Sequence, residues 1–319
     1  MNLQQNIPLK NYSNYKIGGM AKYFVQVETT EELKEVLRLA NSLAQDKIAI
    51  LGSGTNVLIN DKGFDGLVIL NRIGGITEGE GGNLTVGSGT LVRDLLAHCA
   101  ENSLTGLEWA GGLPGTIGGA VRGNAGAFKG EIKDIVVAVE SLDLKTASNV
   151  ADAFNEKIRN NAQCQFTYRN SIFKSGDGVN EFITHVILAL TLGDKKEIEE
   201  KIQQKVDYRN NRHPMDYPSI GSIFKNIPLD SLSHELQKEF APFVKMDPFP
   251  AVPTTKLLAL CDLKGRRVGD AMISDKHPNF IINVDNATAE DVKALIEIAK
   301  QAVKEKYNLV LEEEIIYLN

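Results

Sequence analysis

Apolar residues recur along this chain first with the period of strands and then with the period of helices. Tyr23 to Val27 reads as a strand. Behind it Thr29 and Glu32 stand at capping-box spacing, ahead of a helix that buries Leu33, Val36, Leu37 and Ala40. Lys47 to Leu51 predicts the next strand, which runs into Gly52-Ser53-Gly54-Thr55-Asn56; the residues after this loop, Val57-Leu58-Ile59, read as a further strand and not as a helix. A second helix is predicted from about Thr90 to Asn102, with Val92, Leu95, Leu96 and Cys99 inward, and Ile132 to Leu144 and Phe182 to Leu190 read as strands. From about Lys195 a charged helix runs to about Asp207, and proline-punctuated loops extend from there through Pro253. A long amphipathic helix capped by Thr288 buries Val292, Leu295, Ile296, Ala299 and Val303, and Leu309 to Leu318 reads as a closing strand. The order predicts an α+β protein with a lobe boundary near Asp207.

Length and charge narrow the class. At 319 residues, 43% hydrophobic and 24% charged, the chain suits two or three packed lobes with room for a cleft. Lys plus Arg number 35 against 41 acids, mixed along the sequence, so no clustered basic face exists to displace counterions from a nucleic acid. The three cysteines, Cys99, Cys164 and Cys261, lie far apart and form no set of zinc-ligand spacing; no metal is expected. Met1 to Lys10 lacks the succession of a signal peptide, and no run of 18 apolar residues occurs, so the expectation is a cytoplasmic protein without membrane insertion.

Glycine is where the chemistry begins, since 20 of the 28 glycines fall between Gly52 and Gly130 and mark tight turns or close approach of backbone to something else. The first loop, Gly52 to Asn56, is open to two readings: a simple turn, or a concavity of backbone amides for an anion, with Ser53, Thr55 and Asn56 adding side-chain donors. It is neither a Walker loop, which would end in Gly-Lys-Ser/Thr, nor a Rossmann fingerprint, which needs a third glycine and a helix next. The second segment, Gly111 to Ala127, holds seven glycines in the sixteen residues to Gly126. Pro114-Gly115 signals a turn, and Thr116 can cap a short helix whose free amides suit a pyrophosphate; a close-packed turn between sheets is the alternative.

Taken in order, these loops and several further stretches resemble the UDP-N-acetylenolpyruvoylglucosamine reductases, part of a wider superfamily of flavin oxidases and reductases. The resemblance runs nearly end to end: Tyr15-Lys16-Ile17-Gly18-Gly19, Gly52 to Ile59, Gly106-Leu107-Glu108-Trp109, Pro114 to Ala127, Tyr168-Arg169-Asn170-Ser171, Pro218 to Asn226, Leu263-Lys264-Gly265, Ile273 to Phe280 and Leu311-Glu312-Glu313-Glu314. It implies a two-lobed FAD-binding domain of the vanillyl-alcohol-oxidase type over residues 1–207, with lobes of about 1–70 and 71–207. A smaller α+β substrate-binding domain then covers 208–319, its last strand returning toward the first lobe. FAD would lie on Gly52, Ser53, Gly54, Thr55, Asn56, Pro114, Gly115, Thr116, Gly118, Gly119, Asn124 and Gly126. Relatives that attach flavin covalently use a His or Cys near the first loop; Thr55 offers neither, so dissociable FAD is expected.

The reaction so implied is reduction of UDP-N-acetylglucosamine enolpyruvate to UDP-N-acetylmuramate, in peptidoglycan precursor synthesis, with NADPH as hydride donor. Hydride must reach the terminal carbon and a proton the carbon bearing the carboxylate, and the enolate-like charge between those steps needs fixed donors in a water-poor site. The resemblance gives Arg169 the carboxylate grip, Ser222 the proton and Glu314 assistance at the enolate; as a donor Glu314 must hold its proton. Tyr168, Arg212, Lys225 and Asn226 would hold the substrate. Read without the resemblance, Arg169 is a surface ion-pair member, Ser222 a turn hydroxyl, and Glu312 to Glu314 an exposed acidic strand end. Lys174 to Glu181 is short, which fits the subtype lacking a tyrosine-bearing substrate loop, while Leu229 to Pro253 is longer than that pattern requires. A monomer is favoured. The rival readings are another FAD-dependent oxidoreductase or oxidase on the same scaffold, and a nucleotide-binding regulatory protein without redox chemistry.

Overall fold

A computed structural model describes residues 2–42, 47–79, 82–144 and 154–319. The chain divides into two units that are not continuous in sequence: Met1–Ile7, Ala21–Ser53 and Asp65–Asp207 form one, and Pro8–Met20, Gly54–Phe64 and Tyr208–Asn319 the other.

In the first unit a four-stranded sheet has the order Gln4–Pro8, Met20–Val27, Phe64–Asn71, Ile48–Leu51, with the last pair parallel. Helix Thr30–Ser42 lays Leu33, Val36, Leu37 and Ala40 on Val25, Val27, Leu67 and Ile69. Burying such side chains at about 25 cal/mol per Å² holds the helix where propensity alone would not. A second sheet is antiparallel throughout, in the order Glu156–Asn160, Val136–Asp143, Glu181–Leu188, Leu84–Gly87, Ile76–Glu78. Against it packs helix Val92–Glu101 through Val92, Leu95, Leu96 and Cys99, the four residues its period predicts. Leu142 and Phe182 of this sheet also join the core of the first lobe, so the two lobes share apolar contacts.

The buried polar centre of the second sheet is Glu181. Its carboxylate accepts from Arg159 at 2.6 and 3.0 Å, from Lys157 at 2.9 Å and from Ser141 at 2.7 Å, with the side chain 1% exposed. Burial would raise this carboxyl, but the hydrogen bonds from Arg159, Lys157 and Ser141 outweigh it and hold it at about 2. Because that lies below the ordinary glutamate value of about 4.3, the stabilisation is complete above pH 4.3 and is lost as pH falls toward 2. Glu181→Gln, which takes the paired carboxylate from Arg159 and leaves Lys157 with Asp143 alone, is expected to cost about 3–5 kcal/mol at pH 7. Thermal melts of both forms between pH 7 and pH 2 check this: the difference should shrink as the pH drops.

The second unit is built around helix Ala289–Tyr307. Thr288 and Asp291 form its capping box, and the Asp61 carboxylate accepts from the amides of Ala289, at 2.9 Å, and Glu290, at 3.3 Å. Its buried stripe, Val292, Leu295, Ile296, Ala299, Val303 and Tyr307, meets the three-stranded sheet Arg267–Val268, Ala271–Ile273, Ile281–Asn283. Tyr15, wholly buried, donates its hydroxyl to the Ile281 carbonyl at 2.7 Å, and Asn283 Nδ2 donates to the Tyr15 carbonyl at 3.1 Å. These bonds bring residues 8–20 into this unit, whereas the contiguous division at 207 places them in the cofactor domain. Strand Val57–Ile59 is counted here too, and the closing strand pairs with it in parallel, Ile316 opposite Val57.

Four boundaries differ from the sequence reading. The closing strand is only Ile316–Leu318, because residues 309–314 have no continuous ladder to join. The strand predicted from Ile132 begins at Val136, after a tight turn over Ile132–Asp134. The charged helix continues to Arg212, two residues short of Pro214. The region predicted as loops through Pro253 contains helix His234–Phe240, capped by Ser233, and strands Lys245–Met246 and Pro250–Val252. Those elements are too short to show a period.

Candidate active site

The first glycine loop leaves strand Ile48–Leu51 at Gly52. A Cβ on Gly52 would stand 2.8 Å from Thr116 Oγ1, so glycine is what lets the loop meet the second glycine segment. Thr116 is the cap of helix Ile117–Arg122, its hydroxyl accepting from the Gly119 amide at 3.3 Å. Gly115, at φ +118°, gives its carbonyl to the Val92 amide at 3.0 Å, and the Gly118 amide donates to the Ser88 carbonyl at 2.8 Å. The short helix is thus pinned between a strand end and a helix start. Pro114 and Gly119 remain exposed beside it.

These residues fit a bound dinucleotide. Ser53 Oγ is buried and finds no hydrogen-bond partner among the described residues, a deficit of about 1–3 kcal/mol that a phosphate oxygen would remove. Arg122 Nη1, which the sequence reading passed over, is likewise buried without such a partner, and burial lowers the pKa of its guanidinium. Its position in the last turn of the glycine-rich helix was the available signal. Gly52→Ala is expected to displace Thr116, losing a cap worth about 1 kcal/mol. FAD should then bind at least about tenfold more weakly, the equivalent of 1.4 kcal/mol; equilibrium titration with FAD measures it.

Arg169 lies in the same unit, at the second central position of a tight turn in which Thr167 and Asn170 exchange two backbone hydrogen bonds of 3.1 Å. It adopts φ +55°, a left-handed conformation that costs a non-glycine residue about 1–2 kcal/mol. Its Nη2 donates to the Gly126 carbonyl at 2.8 Å, its guanidinium lies 4.9 Å from the centre of the Tyr168 ring, and Lys174 Nζ donates to its carbonyl at 3.0 Å. A cation is therefore held directly on the second glycine segment. Asn124, fully buried, uses its side-chain amide on Glu131 and on the Thr167 carbonyl.

In the second unit the loop continues through Gly54, at φ +61°, where a Cβ would lie 2.3 Å from the Tyr12 carbonyl. Thr55 is half-buried; Asn56 donates from Nδ2 to the Glu314 carbonyl at 3.2 Å and accepts the Ile316 amide at 3.0 Å. Ser222 comes directly after Gly221, at φ +84°, and pairs with Phe280. The next residue, Ile223, takes two backbone bonds: its amide donates to the Asn279 carbonyl, and its carbonyl accepts the Glu314 amide, both at 2.8 Å. Asn279 also clasps both backbone groups of Phe224, accepting its amide at 3.0 Å and donating to its carbonyl at 2.8 Å. Ser222 and Glu314 are so brought onto neighbouring extended segments, with Asn56 of the first glycine loop on the far side of Glu314.

Glu312 and Glu313 differ in their partners. Glu312 pairs with Lys225, while Glu313 accepts from Tyr317 and pairs with Lys300 at 2.5 Å. Burial and the hydrogen bond to Glu313 push the Tyr317 phenol well up, so it stays a donor. Lys225 also donates its amide to the Glu312 carbonyl at 2.9 Å, and Asn226 Oδ1 accepts the Thr254 amide at 3.2 Å. Arg212 is exposed at its helix end, 5.9 Å from the Tyr208 ring centre.

Residues 213–318 match the family model described as UDP-N-acetylenolpyruvoylglucosamine reductase, C-terminal domain, and residues 21–148 match an FAD binding domain. The UDP-N-acetylenolpyruvoylglucosamine reductase of Caldicellulosiruptor bescii is 36% identical over 98% of this chain and 89% of its own length, and that of Geobacillus kaustophilus 35% identical over 98% and 92%. Among solved structures, the enzyme of the same name from Thermus caldophilus superposes with a TM-score of 0.75 at 31% identity, covering all of both chains. With relatives this similar along nearly its whole length, the chain belongs to the UDP-N-acetylenolpyruvoylglucosamine reductase family.

Proposed function

We propose that this chain reduces UDP-N-acetylglucosamine enolpyruvate to UDP-N-acetylmuramate, with Arg169, Ser222 and Glu314 as its catalytic residues. Within the family assignment, the observation that supports this reading is the backbone bond from the Glu314 amide to the carbonyl of Ile223, the residue after Ser222. Bound FAD, recharged by NADPH, supplies the hydride. The protein's part is to hold the substrate carboxylate on the Arg169 fork, which neutralises the charge that grows there, and to exclude water so that fixed donors act at full strength. The Ser222 hydroxyl gives its proton to the carbon bearing the carboxylate, and Glu314 assists at the enolate. Gly52 to Asn56, with Pro114, Gly115, Thr116, Gly118, Gly119 and Gly126, form the cradle for FAD; Tyr168, Arg212, Lys225 and Asn226 serve the substrate. A nucleotide-linked sugar as substrate supports placing the chain in the cytoplasm, and no described helix is long and apolar enough to cross a membrane.

Anaerobic spectra test the reading. NADPH is expected to bleach the flavin band, and the enolpyruvyl sugar nucleotide to restore it; recovery only on admitting oxygen would favour a flavin oxidase instead. Acid denaturation should release all the yellow colour, since Thr55 cannot form the covalent link that a His or Cys makes. Colour precipitating with the chain would contradict the dissociable cofactor.

A further inference from the structure

The strongest unassigned network in the first unit converges on the Arg169 backbone. Among the described residues, five of the left-handed non-glycine positions, Asn124, Phe128, Lys129, Gln165 and Arg169, fall within residues 124–169. Phe128 and Lys129 form the two-residue turn of a hairpin in which Ala127 faces Gly130 and Gly126 faces Glu131. Gly126 of that hairpin accepts the Arg169 guanidinium, and a Cβ on it would stand 2.6 Å from Glu131 Cγ and 3.3 Å from Arg169 Nη1. A second side chain, that of Asn124, also ties the hairpin to the Arg169 turn. Asn124 Nδ2 donates to Glu131 Oε1 at 3.1 Å and to the Thr167 carbonyl at 2.9 Å, while its Oδ1 accepts the Lys133 amide at 3.3 Å. The Glu131 carboxylate, itself buried, also pairs with Lys133 Nζ at 2.6 Å and caps the turn over Ile132–Asp134.

We propose that Asn124 and Glu131 are positioning residues for Arg169: the Asn124 amide clasps the hairpin that receives the guanidinium to the turn that carries it. This rests on the carboxylate-gripping role given to Arg169 above, and it differs from a cofactor role for the Asn124 side chain, whose polar atoms are all engaged within the protein. A buried, fully hydrogen-bonded amide fixes both segments at once, and asparagine tolerates the φ +42° found there. Letting the clasp go frees the left-handed Arg169 turn to relax, and a shift of about 1 Å in a reacting group can cost roughly a hundredfold.

Asn124→Asp keeps the shape but turns both donations into repulsions against Glu131 and the Thr167 carbonyl. In rapid-mixing experiments on the FAD-loaded protein, its reduced flavin should be reoxidised by the enolpyruvyl substrate on the order of tenfold to a hundredfold more slowly, with FAD affinity and the rate of reduction by NADPH nearly unchanged. In an Arg169→Gly background the same substitution should add almost nothing, since residues that act through one another are not additive. Glu131→Gln, which keeps an acceptor for Asn124, provides a second cycle if Asn124→Asp fails to fold, with a smaller loss of the same kind. Weakened FAD binding, or a full multiplicative loss on top of Arg169→Gly, would overturn the proposal while leaving Arg169 in place. Undiminished substrate reduction by Arg169→Gly alone would instead remove the role on which it rests.

Discussion

Ser222→Ala is expected to bleach with NADPH within about twofold of the wild-type rate and to lose about a hundredfold to ten-thousandfold in the return of the flavin band with the enolpyruvyl substrate. The asymmetry comes from what each half-reaction asks of the protein. Taking hydride from NADPH needs no proton on carbon, whereas completing the substrate needs one delivered to the carbon bearing the carboxylate. Serine is a weak acid in water, so its use depends on fixed donors around the developing charge. Structurally the change is small. Ser222 is held in its segment by pairing with Phe280, and the adjoining Ile223 by backbone bonds to Asn279 and Glu314, none of which uses the serine side chain. A normal melting temperature should therefore accompany the loss. Stopped-flow traces of the two half-reactions decide it: survival of both would take the proton from Ser222, and a parallel fall in both would point to a damaged cofactor site.

Periodicity reached the parts of this fold whose side chains make the core. The helices around Leu33, Leu95 and Leu295 bury the residues that their spacing predicts, because amphipathic packing over ten or more residues leaves a pattern in the sequence. It did not reach the second unit's strands Lys245–Met246, Pro250–Val252, Arg267–Val268, Ala271–Ile273 and Ile281–Asn283, nor the route by which Tyr15 enters that unit. Its partner Ile281 lies 266 positions away, and no local rule connects them. The site was legible only in part for the same reason. Glycine density located the loops, but Gly52 has meaning because Thr116 is opposite it, and Arg122 carried no mark except its neighbours. The three glutamates look alike in the sequence, and no local pattern announces that Lys225 pairs with Glu312 or that Lys300 and Tyr317 meet Glu313. A left-handed Arg169 is invisible to any propensity, which would put glycine or asparagine there.

That conformation makes Arg169 the position where function and stability can be separated by experiment. Arg169→Gly relieves a backbone cost of about 1–2 kcal/mol and gives up a charged hydrogen bond to the Gly126 carbonyl worth about 1.5–3 kcal/mol. The two nearly cancel, so the melting temperature should move little. Reoxidation of the flavin by the enolpyruvyl substrate should nevertheless fall about a hundredfold to a thousandfold, the usual consequence of removing a donor from developing negative charge. Arg169→Lys keeps both the charge and the strained backbone but loses the planar fork that grips two carboxylate oxygens. It should turn over faster than Arg169→Gly, with a raised KM for the enolpyruvyl substrate, and be no more stable. Melting curves and half-reaction rates on the two variants give two rank orders, and the reading requires them to run in opposite directions. If the lysine form were both the more stable and no more active than the glycine form, the left-handed turn would be an ordinary structural feature and the guanidinium a surface group.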